Sequence, residues 1–347
     1  MDIRILVKNK EGTYIGEFSR FRNLKFGKRL NNYGTCTFDI PVNRPELNKL
    51  ISLRNYEIEI YLCETNTVQT LIWAGEQASR LANLTDTGDD WATITCYTFL
   101  EMLNHRFTVA ERIFVIEDEM DSGDIAWTLI DETQADDYGD LGFTQGDIEA
   151  TIIREVKYYN QNIMNAIIDL ANMTYGFDFD INDEKEFNVW AIKGVNRSDD
   201  IQLILGKNVK SAVITDDFTN PGNRALILGT DLTDSSLLRV ERNNANSQSA
   251  IKLREYIDSQ ADISDEDSLE YLGDAILRKY KQPVLSISVT LVANAGLYPK
   301  DFSVGDTVKV RIKKGIYDFN IQMRIHEWDF SLGGDKKEYL GLVLSIL

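Results

Sequence analysis

Alternation between apolar and polar side chains dominates the first third of the chain. Ile3 to Val7 and Tyr14 to Phe18 flank Asn9-Lys10-Glu11-Gly12, a turn signal between two short strands. Phe21 to Phe26 follows, then Leu30-Asn31-Asn32-Tyr33-Gly34 and a strand from Thr35 to Ile40. Cys36, Phe38 and Ile40 share one face of that strand, and Thr35, Thr37 and Asp39 share the other. Pro41 ends it, and Arg44 to Leu53 reads as a short helix after Asn43. Tyr56 to Leu62, Leu71 to Ala74, Glu76 to Leu84 and Trp91 to Tyr97 continue the strand series, with Asp86 to Asp90 as a turn. Short strands at close, regular spacing predict a barrel or sandwich rather than a parallel nucleotide-binding sheet. This first unit ends near Leu103-Asn104.

The period then changes. Residues 121–135 predict a helix opened by Asp121 or Ser122, with Ile125, Leu129 and Ile130 on one side. An acidic loop, Asp136 to Asp147, leads towards a second helix from Gln161 to Thr174, which Gly176 stops. Strands are expected at Phe177 to Ile181 and Phe187 to Ile192, so this middle unit is α+β. The strand pattern returns at Lys210 to Asp216 and Arg224 to Gly229, whereas Arg239 to Gln248 is polar and reads as loop. Ser264 to Asp267 resembles a capping box for a helix buried through Leu269, Leu272, Ile276 and Tyr280, with Pro283 beyond its end. Four alternating strands close the chain: Leu285 to Leu291, Thr307 to Ile312, Ile321 to Ile325 and Tyr339 to Ile346. Before the second of these, Gly305-Asp306 supplies a turn. Val308, Val310 and Ile312 then alternate with Lys309, Arg311 and Lys313. The fold class is α+β, mainly β.

At 347 residues the chain is long enough for two or more domains. Its charge is unusual: 55 acidic against 37 basic side chains, a net of −18, which argues against wrapping nucleic acid. No apolar run approaches the roughly 20 residues that span a bilayer. Met1-Asp2-Ile3-Arg4 lacks the start of a signal peptide. Cys36, Cys63 and Cys96 each fall in an expected strand with no CxxC spacing, which predicts buried free thiols and folding in a reducing cytoplasm.

A search for chemistry returns no catalytic, cofactor-binding or metal-binding residue. Gly206-Lys207 is followed by Asn208 and preceded at 201 by Ile, so it is not a P-loop. His105, at a domain edge, and His326, on the outer face of a strand, read as structural. In Asp136-Asp137-Tyr138-Gly139-Asp140, Tyr138 breaks the alternation of a calcium loop and Gly139 comes too early. Asp86, Asp89 and Asp90 read as a solvated turn. Trp73, Trp91, Trp190 and Trp328 could stack on sugars, against the plainer role of packing a barrel end or an interface.

Three stretches together carry a resemblance. They are Tyr33-Gly-Thr-Cys-Thr-Phe-Asp-Ile-Pro41; Asn162-Ile-Met-Asn-Ala-Ile-Ile-Asp-Leu170 with Tyr175-Gly-Phe-Asp-Phe179; and Tyr298-Pro-Lys-Asp-Phe-Ser-Val-Gly-Asp-Thr-Val308 with Arg324-Ile-His-Glu-Trp328. Their order and spacing resemble the tail-tip or baseplate hub proteins of long-tailed bacteriophages (tail-associated, siphovirus hub proteins), which are similar to the contractile-phage baseplate hub. The resemblance implies two tube-like β-barrel domains with smaller α+β peripheral domains. We place the barrels at residues 1–105 and at 206–235 with 283–347, an α+β domain at 106–205, and a loop and helical insertion at 236–282.

It further implies a homotrimer whose barrels form a pseudo-sixfold ring. Its partners would be a distal tail protein or tail tube ring, the tape measure protein, and tip or receptor-binding fibre proteins. DNA would pass the lumen without specific binding, and the protein would sit in the virion tail tip after assembly in the host cytoplasm. Many relatives extend beyond the final strand with fibre, receptor-binding or cell-wall-degrading parts, whereas this chain stops at Leu347, which weakens the expectation of enzymatic activity or direct receptor binding. With no catalytic or metal motif, no enzymatic activity and no cofactor are expected. The competing readings are a carbohydrate-binding adhesin module of the tail tip and a cell-wall hydrolase using a carboxylate pair.

Overall fold

The computed structural model describes residues 2–18, 20–42, 56–63, 69–86, 88, 90–108, 111–115, 118–154, 156–173, 175–217, 222–230, 237–259, 266–280, 284–293, 295–333 and 337–346. The chain divides into two compact units. One comprises Met1–Ala171, Phe177–Val213 and Ser288–Leu347, and the other Asn172–Gly176 and Ile214–Ile287. The expected helix at Arg44 to Leu53, the cap at Ser264 and Pro283 lie outside the described residues.

In chain order the opening part contains β1 (Asp2–Lys8), β2 (Tyr14–Glu17), β3 (Arg22–Arg29), β4 (Thr35–Pro41), β5 (Glu57–Cys63), β6 (Gln69–Asn83), β7 (Trp91–Tyr97) and a 3-10 helix, Phe99–His105. The middle part contains β8 (Glu111–Phe114), α1 (Ser122–Gln134), β9 (Thr144–Ile148), β10 (Val156–Tyr159), α2 (Ile163–Asn172), β11 (Asp178–Ile181) and β12 (Glu186–Trp190). There follow β13 (Gln202–Ile204), β14 (Val209–Asp217), β15 (Arg224–Thr230), β16 (Leu237–Asn243), α3 (Ala245–Ile251), β17 (Glu255–Ser259) and α4 (Glu266–Tyr280). The closing strands are β18 (Val284–Leu291), β19 (Thr307–Lys314), β20 (Tyr317–Leu332) and β21 (Glu338–Ser345). The protein is α+β and mainly β.

Strands from both ends of the chain build one 13-stranded sheet. Its order is β14-β18-β21-β20-β3-β4-β7-β6-β5-β1-β2, with β19 on β20 and β13 on β19. The sequence predicts two separate β units, but β20 pairs antiparallel with β3, from Glu327 opposite Arg29 to Ser331 opposite Lys25. The 16-residue length of β20 allows this, because its first half pairs with β19 and its second half with β3. A bulge at His326, between Ile325 and Glu327 in the pairing with β21, bends the strand between the two roles. A Cβ on Gly27 would lie 2.1 Å from the Trp328 carbonyl oxygen, so only glycine permits this approach of β3 to β20. Phe26 then packs on Trp328 and Phe330 at ring-centroid distances of 5.8 and 5.3 Å. Each such buried ring contributes roughly 1.5–3 kcal/mol of apolar transfer.

The alternation in the opening strands is realised as written: Cys36, Phe38 and Ile40 are buried, as are Ile58, Ile60 and Leu62. Gly75 suggests a break between two strands, yet Gln69–Asn83 is one continuous strand. In the middle part β12 pairs antiparallel with β11 and parallel with β9. Asp121 caps α1, accepting from the amides of Gly123 and Asp124 at 2.8 and 3.0 Å.

The second unit is a three-stranded sheet, β16-β15-β17, packed against α4. Ala225, Ile227, Val240, Leu269, Ile276 and Leu277 form its core. Arg224–Thr230, grouped by sequence with the second barrel, thus pairs with β16 and β17. Arg239 to Gln248, expected as loop, is instead the end of β16 and the start of α3. Val240 is the one apolar residue in that stretch besides Ala245, too few to register as alternation. The Asn244 side chain accepts from the Ser247 amide at 2.9 Å and starts the helix.

Candidate assembly site

The middle part is tied to the strands by a buried polar joint. Asp178, on β11, accepts from Asn31 Nδ2 at 2.9 Å and from the Lys193 amide at 2.8 Å, and it pairs with Arg324 of β20. Arg324 also donates to the carbonyls of Gly305 at 3.1 Å and Lys193 at 2.7 Å. Gly305-Asp306, a turn in the sequence reading, is the partner surface for the segment after β12. Asp306 is buried and accepts from the amides of Val195 at 2.8 Å and Ser303 at 2.9 Å, and from Arg197 Nε at 2.7 Å. Gly194 and Gly305 meet back to back, with φ of +99° and +94°. A Cβ on Gly194 would lie 2.2 Å from the Gly305 carbonyl carbon.

A second clamp holds the β11–β12 turn on the opening strands. Lys185 Nζ lies 2.6 Å from Glu57, and Lys28 Nζ lies 2.6 Å from Asp183. Asp183 also accepts from the Ala74 amide at 2.9 Å. Glu57 stands directly opposite Glu76 across β5 and β6. Burial first, and the Glu57 charge second, push the Glu76 carboxyl above its ordinary range, while Lys185 opposes the shift. Burial raises Glu101 in the same way, against the pull of His105, whose Nε2 is 3.2 Å from it.

Between these clamps lies a cavity of about 310 Å³, lined among others by Arg29, Asp180, Lys193, Lys300 and Trp328. Lys193 pairs with Asp180 and sits 4.4 Å over the Trp190 ring. Asp180 Oδ1 has no hydrogen-bond partner among the described residues. Charges of both signs line the space.

Other singled-out residues fall into place individually. Trp73 and Trp328 are buried, and the Trp73 indole donates to the Gly27 carbonyl at 3.0 Å, so neither offers a ring to a sugar. Arg22 covers the Trp91 ring at 3.7 Å. Cys36 and Cys96 are buried free thiols opposite one another on β4 and β7, whereas Cys63 is half-buried at the end of β5. His105 is exposed, and His326 is half-buried, with burial lowering its pKa. Among the described residues no group of three His, Cys, Asp or Glu is placed to hold a metal ion. No helix there is long and apolar enough to cross a membrane. On β19, Val308, Val310 and Ile312 are buried; Arg311 and Lys313 face outwards and Lys309 is half-buried.

Two stretches of strand edge have no strand beside them among the described residues. β14 ends the sheet order beside β18, and β6 runs past the end of β5. Both carry exposed apolar residues, Val213 on β14 and Leu81 on β6. The alternation in sequence marks these stretches as strands but carries no sign of their neighbours.

No protein-family model matches the chain, and no curated protein does. Solved structures match over its whole length. The 43 kDa tail protein of prophage MuSo2 from Shewanella oneidensis is similar at a TM-score of 0.69 and 10% identity, covering 99% of this chain and 98% of that one. The tail protein from Neisseria meningitidis MC58 gives 0.68 and 12%, covering 99% and 97%. The Escherichia coli c3393 protein gives 0.54 and 11%, covering 100% and 76%. That protein is a component of the type VI secretion system with structural similarity to T4 bacteriophage tail proteins gp27 and gp5. The fold is therefore that of phage tail proteins.

Proposed function

We propose that this chain is a structural component of a long-tailed phage virion, the hub of its distal tail tip, working as a homotrimer. Two tube-like barrels, one from β1–β7 and one from β13, β14 and β18–β21, place six barrels around an axis in three copies. The ring joins the sixfold tail tube or distal tail protein to threefold tip parts and fibre proteins. Its lumen passes the tape measure protein and then DNA. The observation that carries this reading is the end-to-end likeness to a 43 kDa prophage tail protein, 99% of this chain against 98% of that one. The β3–β20 pairing supports it, because a sheet continuous between two barrels makes one stiff wall segment. The net charge of −18 supports a channel that repels a polyanion rather than holding it. No catalysis is assigned.

The test is the mass of the purified full chain in solution, with particle images of the same sample. The reading requires a trimer and a threefold ring with six lobes. A chain that stays monomeric at all concentrations, and also in the presence of a distal tail protein, would end it.

A further inference from the structure

We propose that the distal half of β6 and the outer edge of β14 are the two halves of one joint, through which each copy of this chain continues the sheet of the next. The inference rests on the hub reading, which supplies the ring, and adds the surfaces that close it.

β6 is 15 residues long, but β5 pairs only with Gln69 to Glu76. From Ser79 to Asn83 it is registered with β7 on one side, and among the described residues no strand lies on the other. Leu81 is 64% exposed and Leu84 is 70% exposed. Apart from a bridge from Val209 to Leu205, β14 likewise pairs with no strand but β18 among the described residues, and its Val213 is 63% exposed. Folded proteins protect such edges with proline, with lysine pointing inwards, with bulges, or by keeping them short; the β6 bulge against β7 lies at the start of this stretch, between Gln77 and Ser79. Neither Ala78-Ser-Arg-Leu-Ala-Asn-Leu84 nor Lys210-Ser-Ala-Val-Ile-Thr-Asp216 contains proline, and the only lysine stands at one end. β2, the other end strand, has just four residues and is protected by its shortness.

The two edges complement each other when run antiparallel with Leu81 opposite Val213. Ser79 then faces Thr215 and Asn83 faces Ser211, on the same side as the apolar pair. Arg80 falls opposite Ile214 and diagonal to Asp216, a match of opposite charges. Arg80 and Ala82 stand opposite the buried Ile94 and Ala92 of β7. They therefore continue that face of the sheet, and on β14 the half-buried Ala212 and Ile214 lie on the matching side. A slip of one residue would put Leu81 against the half-buried face. The occupant is a second copy, because both edges belong to the same chain. Head-to-tail contacts of this kind close rings.

The experiment is sedimentation of the full chain across a concentration series. Arg80→Asp and Asp216→Arg, both at exposed positions, should each raise the midpoint concentration of self-association by about tenfold. The double variant should return it to near the starting value, and Leu81→Arg should raise it further than either single change. If the unaltered chain forms a trimer and these changes leave its midpoint in place, the joint is wrong while the hub reading stands. If the unaltered chain never associates, both fail. Slow exchange, in dilute, dissociated protein, of those amides of residues 78–83 that point away from β7 would mean that the edge is already covered, and would also overturn the joint.

Discussion

Replacing Asp178 by Ala should destabilise the first unit more than any surface change. The carboxylate is largely buried, with its side chain 10% exposed, and Arg324 opposite is 12% exposed. Removal leaves the guanidinium with two carbonyl acceptors, those of Gly305 and Lys193, and no negative charge. It also strips the Lys193 amide and Asn31 Nδ2 of their acceptor. Breaking one side of a buried ion pair costs about 3–5 kcal/mol, because the remaining charge is uncompensated. Each orphaned neutral donor adds roughly 1 kcal/mol or more. At about 2–4 °C per kcal/mol for domains of around 200 residues, a loss of about 5–7 kcal/mol should lower the apparent melting temperature by about 10–28 °C. Thermal melts followed by near-ultraviolet circular dichroism give the readout, with Arg324→Met in the Asp178→Ala background as the control. The double variant contains no unpaired charge and should recover at least half of the loss. A loss below about 1 kcal/mol, or a double variant no better than the single, would refute the argument that the buried charge sets the cost.

Glu76→Gln should behave in the opposite sense. The raised carboxyl means that its contribution to stability is fully present below its unfolded pKa and is lost as pH rises through the higher folded value. The Gln variant should therefore melt above the parent at pH 7 to 8, with the difference shrinking towards pH 4; a variant that melts lower at neutral pH would show that Glu76 is a needed partner of Lys185. Gly305→Ala places a Cβ 2.5 Å from the Lys193 carbonyl oxygen at a φ of +94°. It should cost roughly 1–3 kcal/mol in denaturant unfolding, and a neutral outcome would mean that the segment after β12 yields.

Local chemistry carried much of this fold. Val308, Val310 and Ile312 are buried as their spacing predicts, and Asp121 opens α1 where a capping residue was expected. These signals are legible because helix and strand periods depend only on neighbours in sequence. The stretch Arg239 to Gln248 was not legible, since a strand covered on one face by a helix needs little apolar content of its own. Gly75 misled for a related reason: a Cβ there would lie 2.0 Å from the Tyr97 carbonyl oxygen, so it marks close packing of β6 on β7 and not a strand end.

By itself, the sequence determined that this is a mainly β chain with an α+β middle, an acidic balance, and an order of motifs resembling a tail-tip hub. Only the tertiary structure decided that β3 and β20 fuse the two β units into one sheet. It also decided that Gly305-Asp306 is a docking surface and which edges are unpaired among the described residues. The physical reason is that strand pairing and buried ion pairs join residues hundreds of positions apart. Asn31 and Asp178, or Lys25 and Ser331, carry no mark in sequence that they will meet.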